Sequence, residues 1–425
     1  MITPTNGLVI TQDTTFAPGV YFLPDGISIA AAGITLDGNG ATLIGLNRQG
    51  CGVNIFNQKN VTIKDLNVQS YYHGFFAHRC DFLTITGCTV RDTGELPANT
   101  LFLDIWRPAD DPYGGAIYLR DVRNGLISQN DLQHQMNGLL SYHCRQLRVH
   151  NNVASYNSGF GFHLYETCDS LFQNNVADFC CRYQPRGERT GHLGADAAAF
   201  LLVYGSSRNL FRRNLARMGG DGFFLAGLPP NADQPVGCDF NEFEENDGSY
   251  SPNNAFEATF SRRNVYRNNQ ANFCNYGFWL GFSREFILEN NEIRRNHTAG
   301  IAVENGFGMQ LRHNQFHDNR HGILLWSRFV PEFNRAVPEN DTSRAWLIEA
   351  NQFTGNEKAI RIAANQSHGI ISLPGGTPAT PKPYSHVIRL NHIQNSRVGV
   401  ELINTMNTVM EDNRCQDNLT DFFEK

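Results

Sequence analysis

The chain has 425 residues, of which 41% are hydrophobic and 18% charged, and this composition is typical of a globular protein with a sizeable core. The formal net charge is -6 and there is no Lys/Arg tract, which argues against the backbone of a nucleic acid as a partner. No apolar run approaches the length of a bilayer span, so we expect no membrane-spanning segment.

The first residues of the chain predict a cap. Residues 1–25 contain short alternating segments and a turn around Asp25, and we expect them to form a strand pair that covers the first coil of the following repeat. Residues 1–4 lack the basic and apolar segments of a secretory signal. The sequence leaves open a cytoplasmic location and a secreted or periplasmic one after removal of a signal.

A polar turn, usually bearing Asn, recurs through residues 26–425. Many steps between these turns are 22 or 23 residues, and larger steps correspond to one repeat plus an inserted loop. A repeat of this length is typical of a solenoid, in which each unit buries its apolar face against its neighbours. The turn positions are Asp65, Gly87, Asn130, Asn152, Asn175, Asn214, Asn246, Asn269, Asn291, Asn314, Asn351, Asn391 and Asn413.

Segments within each repeat alternate apolar and variable residues, as strands with one buried face do. Examples are residues 161–165, 277–280 and 300–304, followed by a second and a third short alternation. The pattern predicts an all-β solenoid of about 13 coils with three short strands each. The residues expected inside are Phe162, Leu164, Phe278, Leu280, Ile301 and Val303.

These repeats resemble the right-handed parallel β-helix superfamily typified by pectate lyases and polygalacturonases. The resemblance covers about residues 25–425 and implies a single-domain right-handed parallel β-helix. It also implies a carbohydrate-active protein, but no particular reaction.

Five inserted loops border the first strand of their coils. Two precede a first strand and three follow one, so they should form walls around a groove on the face of the first strands. The insertions are 93–114, 182–196, 227–239, 328–345 and 365–383.

The Asn turns also predict which residues of the first strands point outward into this groove. One outward series is Tyr118, Leu140, His163, Leu202, Phe224, Glu257, Trp279, Ala302 and Leu324. The other, two residues further on, is Arg120, Tyr142, Tyr165, Tyr204, Ala226, Thr259, Gly281, Glu304 and Trp326. Aromatic rings along a groove suit sugar rings, although each ring could instead pack beneath a loop. The predicted substrate-binding residues are Tyr142, Tyr165, Glu166, Arg182, Arg186, Trp279, Glu304 and Trp326.

Carboxylates near the middle of this face suggest glycoside hydrolysis. Glu257 is an outward acid in mid-strand and is the predicted proton donor, while Asp196 or Asp221 would activate water. Adjacent coils are about 4.8 Å apart, so two carboxylates lie about 5 Å apart if they are on neighbouring coils and about 10 Å apart if they are two coils apart. The carboxylate separations of retaining and inverting glycosidases fall between these two distances. The hypothesis requires no metal and no cofactor.

Two alternatives remain open from the sequence. In a polysaccharide lyase or C5 epimerase, His163 or His192 would abstract a proton from a uronate, Tyr165 or Tyr183 would protonate the leaving oxygen, and an arginine would neutralise the acid. Alternatively, the chain binds carbohydrate without catalysis. The sequence does not predict the sugar, the linkage or the oligomeric state.

Overall fold

The structure, a computed structural model, describes residues 1–97, 100, 102–182, 196–230, 233–364 and 381–425. The chain forms two compact units, Met1–Asp221 and Gly222–Lys425, which are described separately. The regular secondary structure of both units is almost entirely β-strand, in short strands of two to seven residues, because the apolar residues alternate over only a few positions between turns.

The strands of the first unit follow one another with short turns. They are β1 (Leu8–Ile10), β2 (Thr14–Thr15), β3 (Val20–Phe22), β4 (Ile27–Ile29), β5 (Thr35–Asp37), β6 (Thr42–Ile44), β7 (Cys51–Phe56), β8 (Thr62–Lys64), β9 (Asn67–Gln69), β10 (His73–His78), β11 (Thr84–Thr86), β12 (Thr89–Arg91), β13 (Gly115–Arg120), β14 (Leu126–Ser128), β15 (Leu139–Tyr142), β16 (Arg148–His150), β17 (Phe160–Tyr165), β18 (Leu171–Gln173), β19 (Ala198–Val203) and β20 (Leu210–Arg212).

The strands of the second unit repeat this arrangement, and β21 begins at the last residue of the first unit. They are β21 (Asp221–Ala226), β22 (Glu242–Glu244), β23 (Asn254–Thr259), β24 (Val265–Arg267), β25 (Tyr276–Trp279), β26 (Ile287–Glu289), β27 (Glu292–Arg294), β28 (Ala299–Glu304), β29 (Gln310–Arg312), β30 (Gln315–His317), β31 (His321–Ser327), β32 (Leu347–Glu349), β33 (Gln352–Thr354), β34 (Lys358–Ala364), β35 (Val387–Arg389), β36 (His392–Gln394), β37 (Val398–Ile403), β38 (Val409–Glu411), β39 (Arg414–Gln416) and β40 (Thr420–Glu424). The helix α1 (Pro331–Ala336) lies between β31 and β32.

Each unit contains three parallel sheets, one for each strand of the coil. In the first unit the first sheet has the order β1-β4-β7-β10-β13-β15-β17-β19, and in the second unit it has the order β21-β23-β25-β28-β31-β34-β37-β40. The predicted parallel β-helix with three strands per coil is therefore confirmed. Residues 1–25, expected to form a cap, contain β1, β2 and β3, which pair in parallel with β4, β5 and β6.

The interior follows the predicted alternation. Phe162, Leu164, Phe278, Leu280, Ile301 and Val303 are all fully buried, as expected. In the second unit the rings of Phe256 and Phe278 stack with centroids 4.9 Å apart. All ten cysteines are free thiols, and seven of them are buried.

The strand pairing confirms the alignment of the two outward series except at one coil. Leu140 and His163 are paired neighbours, as are Glu257 and Trp279, but His163 pairs with Leu201 and not with the predicted Leu202. The turn after β19 contains an additional residue, Gly205, with a φ of +73°. This residue shifts the strand by one position relative to the following Asn turn, and the shift places Leu202 inside and Tyr204 in the turn.

The recurring Asn residues form a buried hydrogen-bonded ladder. Asn291 Nδ2 donates to Asn314 Oδ1 at 2.9 Å and to the Tyr266 carbonyl at 3.0 Å. The left-handed residue of the turn is the one before the ladder, such as Asn290 with a φ of +56°, and not the ladder Asn itself. Asp65 and Gly87 are left-handed residues of this kind, so the predicted alignment is one residue off at these two turns.

We expect Asn291→Ala to lower the free energy of unfolding by about 2–4 kcal/mol, because the lost amide leaves buried polar groups without partners. Asn291 Oδ1 also accepts from the backbone N–H of Asn269 at 3.0 Å, so the change affects both neighbouring coils. Urea denaturation measures the effect. Asn290→Gly is the control and should cost a few tenths of a kcal/mol, since Gly readily adopts a positive φ. Equal losses in the two variants would contradict a stabilising ladder.

Candidate functional site

The first insertion covers part of the outward face in the first unit. Ala109, from insertion 93–114, packs with Tyr118, Leu140 and Tyr142. The Tyr142 hydroxyl donates to the Arg107 carbonyl at 3.0 Å, and the ring is only 1% exposed. Tyr142 therefore packs beneath the insertion, and its ring faces no open groove.

His163 is buried in the same region. Its ring lies 5.3 Å from the ring of Tyr142 and 5.2 Å from that of Phe160. Burial lowers the pKa of His163 to about 3, so the imidazole is neutral near pH 7. A neutral imidazole can accept a proton, as the predicted role of His163 as a base requires. The ring is buried, however, so a polymeric substrate has no direct access to it.

Acidification should destabilise the protein partly through His163. Between its ordinary pKa of 6.5 and about 3, the unfolded state binds a proton that the folded state does not. The free energy of unfolding should therefore fall as the pH falls through this window, by at most about 1.4 kcal/mol per pH unit for one group. His163→Leu, which matches Leu140 and Leu201 on the neighbouring strands, should reduce that slope. Identical pH slopes of wild type and variant in urea denaturation would contradict this assignment.

Arg182 holds the first insertion in place. Its guanidinium donates to the carbonyls of Thr100 and Pro97 at 2.7 and 2.9 Å and pairs with Glu95 at 3.2 Å. The side chain is buried. These contacts give Arg182 a structural role. Its positive charge is compensated within the protein by Glu95 and by backbone carbonyls, so no substrate is needed to explain it.

A partly exposed cluster lies beside this insertion. The ring of Tyr165 lies 4.3 Å from that of Tyr204, which contacts Trp106 edge to face at 5.2 Å. His143 Nδ1 lies 2.9 Å from the Glu166 carboxylate, and burial raises the pKa of Tyr165. Of these residues, His143 and Trp106 were not predicted. The sequence contained a signal for His143. Tyr142 and Tyr165 occupy the same position of the second outward series on paired strands, so the residues that follow them, His143 and Glu166, should also be neighbours.

The predicted bases belong to the first unit. Asp196 is exposed and adopts a φ of +64°, whereas Asp221 is buried and its backbone N–H donates to the Ala197 carbonyl at 3.1 Å. Their role as bases remains a prediction. His192, Arg186 and Tyr183 lie outside the described residues, as does most of insertions 182–196 and 365–383.

In the second unit, Glu257 lies in the middle of β23 and is half-buried. Its Oε2 accepts from Asn254 Nδ2 at 2.5 Å, three residues earlier on the same strand. The neighbouring strand places Trp279 directly beside it. The Asn254 amide thus orients the Glu257 carboxyl group next to the Trp279 ring, where a carboxyl group can exchange a proton with a ligand on that ring.

Three aromatic rings form a platform beside Glu257. Trp279 lies 5.1 Å from Tyr276 and 5.6 Å from Trp326. Trp326 and Tyr276 are buried, whereas Trp279 is partly exposed. Trp279 is therefore the ring of this group that a ligand can reach, and Tyr276 and Trp326 support it.

Glu304 has a different environment from Glu257. It is 4% exposed and is paired through both oxygens with Arg328, at 2.6 and 3.2 Å. Burial raises the pKa of Glu304, and the Arg328 guanidinium opposes that shift. The pair fixes the end of β31 next to Trp326 and gives Glu304 a supporting role.

A polar cavity of about 470 Å³ lies at the end of β23, between insertions 227–239 and 328–345. It contains two ion pairs, Arg262 with Asp239 at 2.9 Å and Arg284 with Glu339 at 2.7 Å. Phe260, three residues after Glu257, contributes an aromatic side. In this unit, residues of two insertions line a cavity beyond the end of β23. That the insertions form walls around a groove on the face of the first strands stays a prediction.

The sequence matches the family described as right handed beta helix region over residues 25–216 and 202–373, and the chain belongs to this family. No curated protein matches closely enough to count as a relative. Among the described residues, no helix has the length and hydropathy of a membrane span. Within the same residues, no three His, Cys, Asp or Glu side chains are grouped as a metal site would need.

Several solved structures are similar to the chain. The A-module of the mannuronan C-5 epimerase AlgE6 from Azotobacter vinelandii is 13% identical, with 98% of this chain and 90% of that one covered and a TM-score of 0.39. A double mutant of the periplasmic alginate epimerase AlgG is 10% identical, with 94% and 79% covered and a TM-score of 0.48. A DFA-IIIase mutant from Arthrobacter chlorophenolicus A6 is 13% identical, with 79% and 70% covered and a TM-score of 0.35. Similarity at this level concerns the fold and says nothing about the reaction.

Proposed function

We propose that the chain is a carbohydrate-active enzyme that cleaves a glycosidic bond on the first sheet of its second unit. The observation that carries the proposal is the position of Glu257, half-buried in mid-strand beside the partly exposed Trp279. The indole would hold a sugar ring through its C–H face, and the neighbouring carboxyl would protonate the glycosidic oxygen. Hydrolysis in this form uses water as the second reactant and needs no metal.

A second reaction, proton abstraction from a uronate, is favoured by the cluster in the first unit. Tyr165 and Tyr204 present two phenols in contact, and the His143–Glu166 pair lies beside them. The carboxylate of Glu166 orients the imidazole of His143, which would act as the base, and a phenol can donate a proton to the leaving oxygen. This cluster would support a lyase or an epimerase.

The products distinguish these reactions. Incubation with a panel of neutral and acidic polysaccharides, followed by mass analysis and NMR, should show fragments that have each gained one water. Unsaturated fragments, or epimerised residues of unchanged mass, would instead assign the reaction to the first unit. Lack of any product together with tight binding would leave a carbohydrate-binding protein and refute the enzymatic proposal.

We expect Trp279→Ala to weaken binding of an oligosaccharide by roughly tenfold, because the variant removes the exposed stacking surface. Isothermal titration calorimetry with the best ligand from a glycan array measures the loss. Tyr250→Asn is the matched control, since this ring is half exposed, stacks on Phe273 and lies outside the first sheet. If Trp279→Ala binds the oligosaccharide with unchanged affinity, the three aromatic rings pack against one another and do not bind the ligand.

A further inference from the structure

The cavity at the end of β23 contains an aromatic ring that is stacked on one face only. Phe260 is partly exposed and lines this cavity of about 470 Å³. One face of its ring stacks on Phe282, with centroids 5.1 Å apart and the planes 9° apart. Phe333 lies 5.1 Å from Phe260 and 4.9 Å from Phe282, at 72° and 71° to them. A ring almost equally close to both members of a stack lies beside the stack, so Phe333 does not cover the second face of Phe260.

The second face of Phe260 points along the solenoid toward Gly237. The backbone N–H of Cys238 donates to Ser261 Oγ at 3.1 Å, and this contact aligns the residues just before them, Gly237 and Phe260. Glycine has no side chain to stack on the ring. A Cβ at position 237 would lie 2.5 Å from Asp239 Oδ1 and 2.7 Å from the Phe260 carbonyl oxygen, so a larger residue does not fit without a shift. The alignment leaves this face of the ring directed into the cavity.

Paired charged side chains place hydrogen-bond donors and acceptors around this ring. Arg262 donates from its backbone N–H and from its Nε to the Asp239 carboxylate, both at 2.9 Å. Within the part of the chain that the structure describes, Arg262 donates no other hydrogen bond, so both of its Nη groups remain available. Arg284 Nη1 lies 2.7 Å from Glu339 Oε1, and this exposed carboxylate can accept further hydrogen bonds. All four side chains line the cavity.

An aromatic face among donors and acceptors suits a pyranose ring, whose C–H face packs on the aromatic ring while its hydroxyl groups form the polar contacts. We propose that this cavity binds a pyranose unit of the same glycan that Trp279 holds. Phe260 follows Glu257 by three residues, which is about 10 Å along an extended chain, so one oligosaccharide reaches both places. The proposal rests on the proposed function in that both sites bind one glycan. Binding in the cavity does not itself require cleavage.

Saturation-transfer NMR and calorimetry with a panel of methyl pyranosides, neutral and uronic, test the cavity in the Trp279→Ala protein, which lacks the exposed ring of the platform. At least one pyranoside should bind. Adding Phe260→Asn should weaken this binding by about tenfold, because the stacking face is lost. Asn tolerates the φ of +52° at this position. Phe273→Asn is the matched control, since Phe273 has a φ of +60°, stacks on Tyr250 at 4.9 Å and lies outside the cavity, and it should leave the affinity unchanged.

A second variant makes the test independent of the stability of Phe260→Asn. Ala336, a partly exposed residue of α1, also lines the cavity, so Ala336→Trp should fill part of it and weaken binding by a similar factor. Melting curves without ligand check the folding of each variant. A preference for a uronic or for a neutral pyranoside would support the site and identify the class of the sugar unit.

The outcomes for the cavity and for the reaction are separate. Pyranoside binding in the cavity without cleavage of any glycan by wild type would support the site and refute only the proposed reaction. If no pyranoside binds the Trp279→Ala protein, the cavity proposal is overturned. The same holds if Phe260→Asn and Ala336→Trp bind as tightly as the Phe273→Asn control.

Discussion

Phe278→Asp should unfold most of the second unit, with a loss of about 5 kcal/mol or more. The Phe278 ring is fully buried, stacks on Phe256 at 4.9 Å and contacts Tyr266 edge to face at 5.5 Å. Replacing a core Phe by a small residue costs about 3–5 kcal/mol through lost contacts and a cavity, and an unpaired carboxylate adds a desolvation cost. Circular dichroism with urea denaturation measures the effect.

The matched control is Tyr250→Asp, which introduces the same charge at a half-exposed aromatic residue with a φ of +65°. Asp tolerates the left-handed region, so this variant should lose less than about 1 kcal/mol. A Phe278→Asp protein as stable as the control would contradict an inward orientation of that ring. Because each coil stacks only on its neighbours, the loss should spread from the altered coil to those beside it.

The interior could be predicted from the sequence because it depends on a local rule. Alternation within five residues places Phe162 and Leu164 on one side of a strand wherever the strand lies in the fold. The pairing of Glu257 with Trp279 follows from the repeat length alone. The predicted outward position of Leu202 is wrong because the turn after β19 contains one additional residue, Gly205. This residue increases the number of positions between the strand and the following Asn turn by one.

The covering of the outward face could not be predicted in the same way. The length of insertion 93–114 is evident from the sequence, but which rings it covers depends on how the loop folds back. The contacts of Ala109 and Arg107 with Tyr118 and Tyr142 decide this, and they connect residues on different elements. His163 and Tyr142 are consequently buried, whereas Tyr165 and Trp279, in equivalent outward positions, remain partly exposed.

Glu257 is the residue whose replacement should have the largest effect on activity. Gln has the same shape, and its side-chain oxygen can still accept the hydrogen bond from Asn254 Nδ2, so the strand and the neighbouring Trp279 should be unchanged. What is lost is the transferable proton. General acid catalysis typically contributes about 10²–10⁴ in rate, which sets the size of the expected loss.

Glu257→Gln should therefore lower turnover by roughly 10² to 10⁴ while oligosaccharide affinity and melting temperature stay at wild-type values. The loss would be in kcat, because a proton donor acts in the transition state and not in ground-state binding. Glu285→Gln is the matched control, a partly exposed carboxylate paired with Arg263 at 2.6 Å, and it should retain full activity. Steady-state kinetics on the cleaved glycan, with calorimetry on the same ligand, separate the two effects. Full activity in Glu257→Gln would eliminate this residue as the proton donor, and the His143, Glu166 and Tyr165 cluster would then be the next site to test.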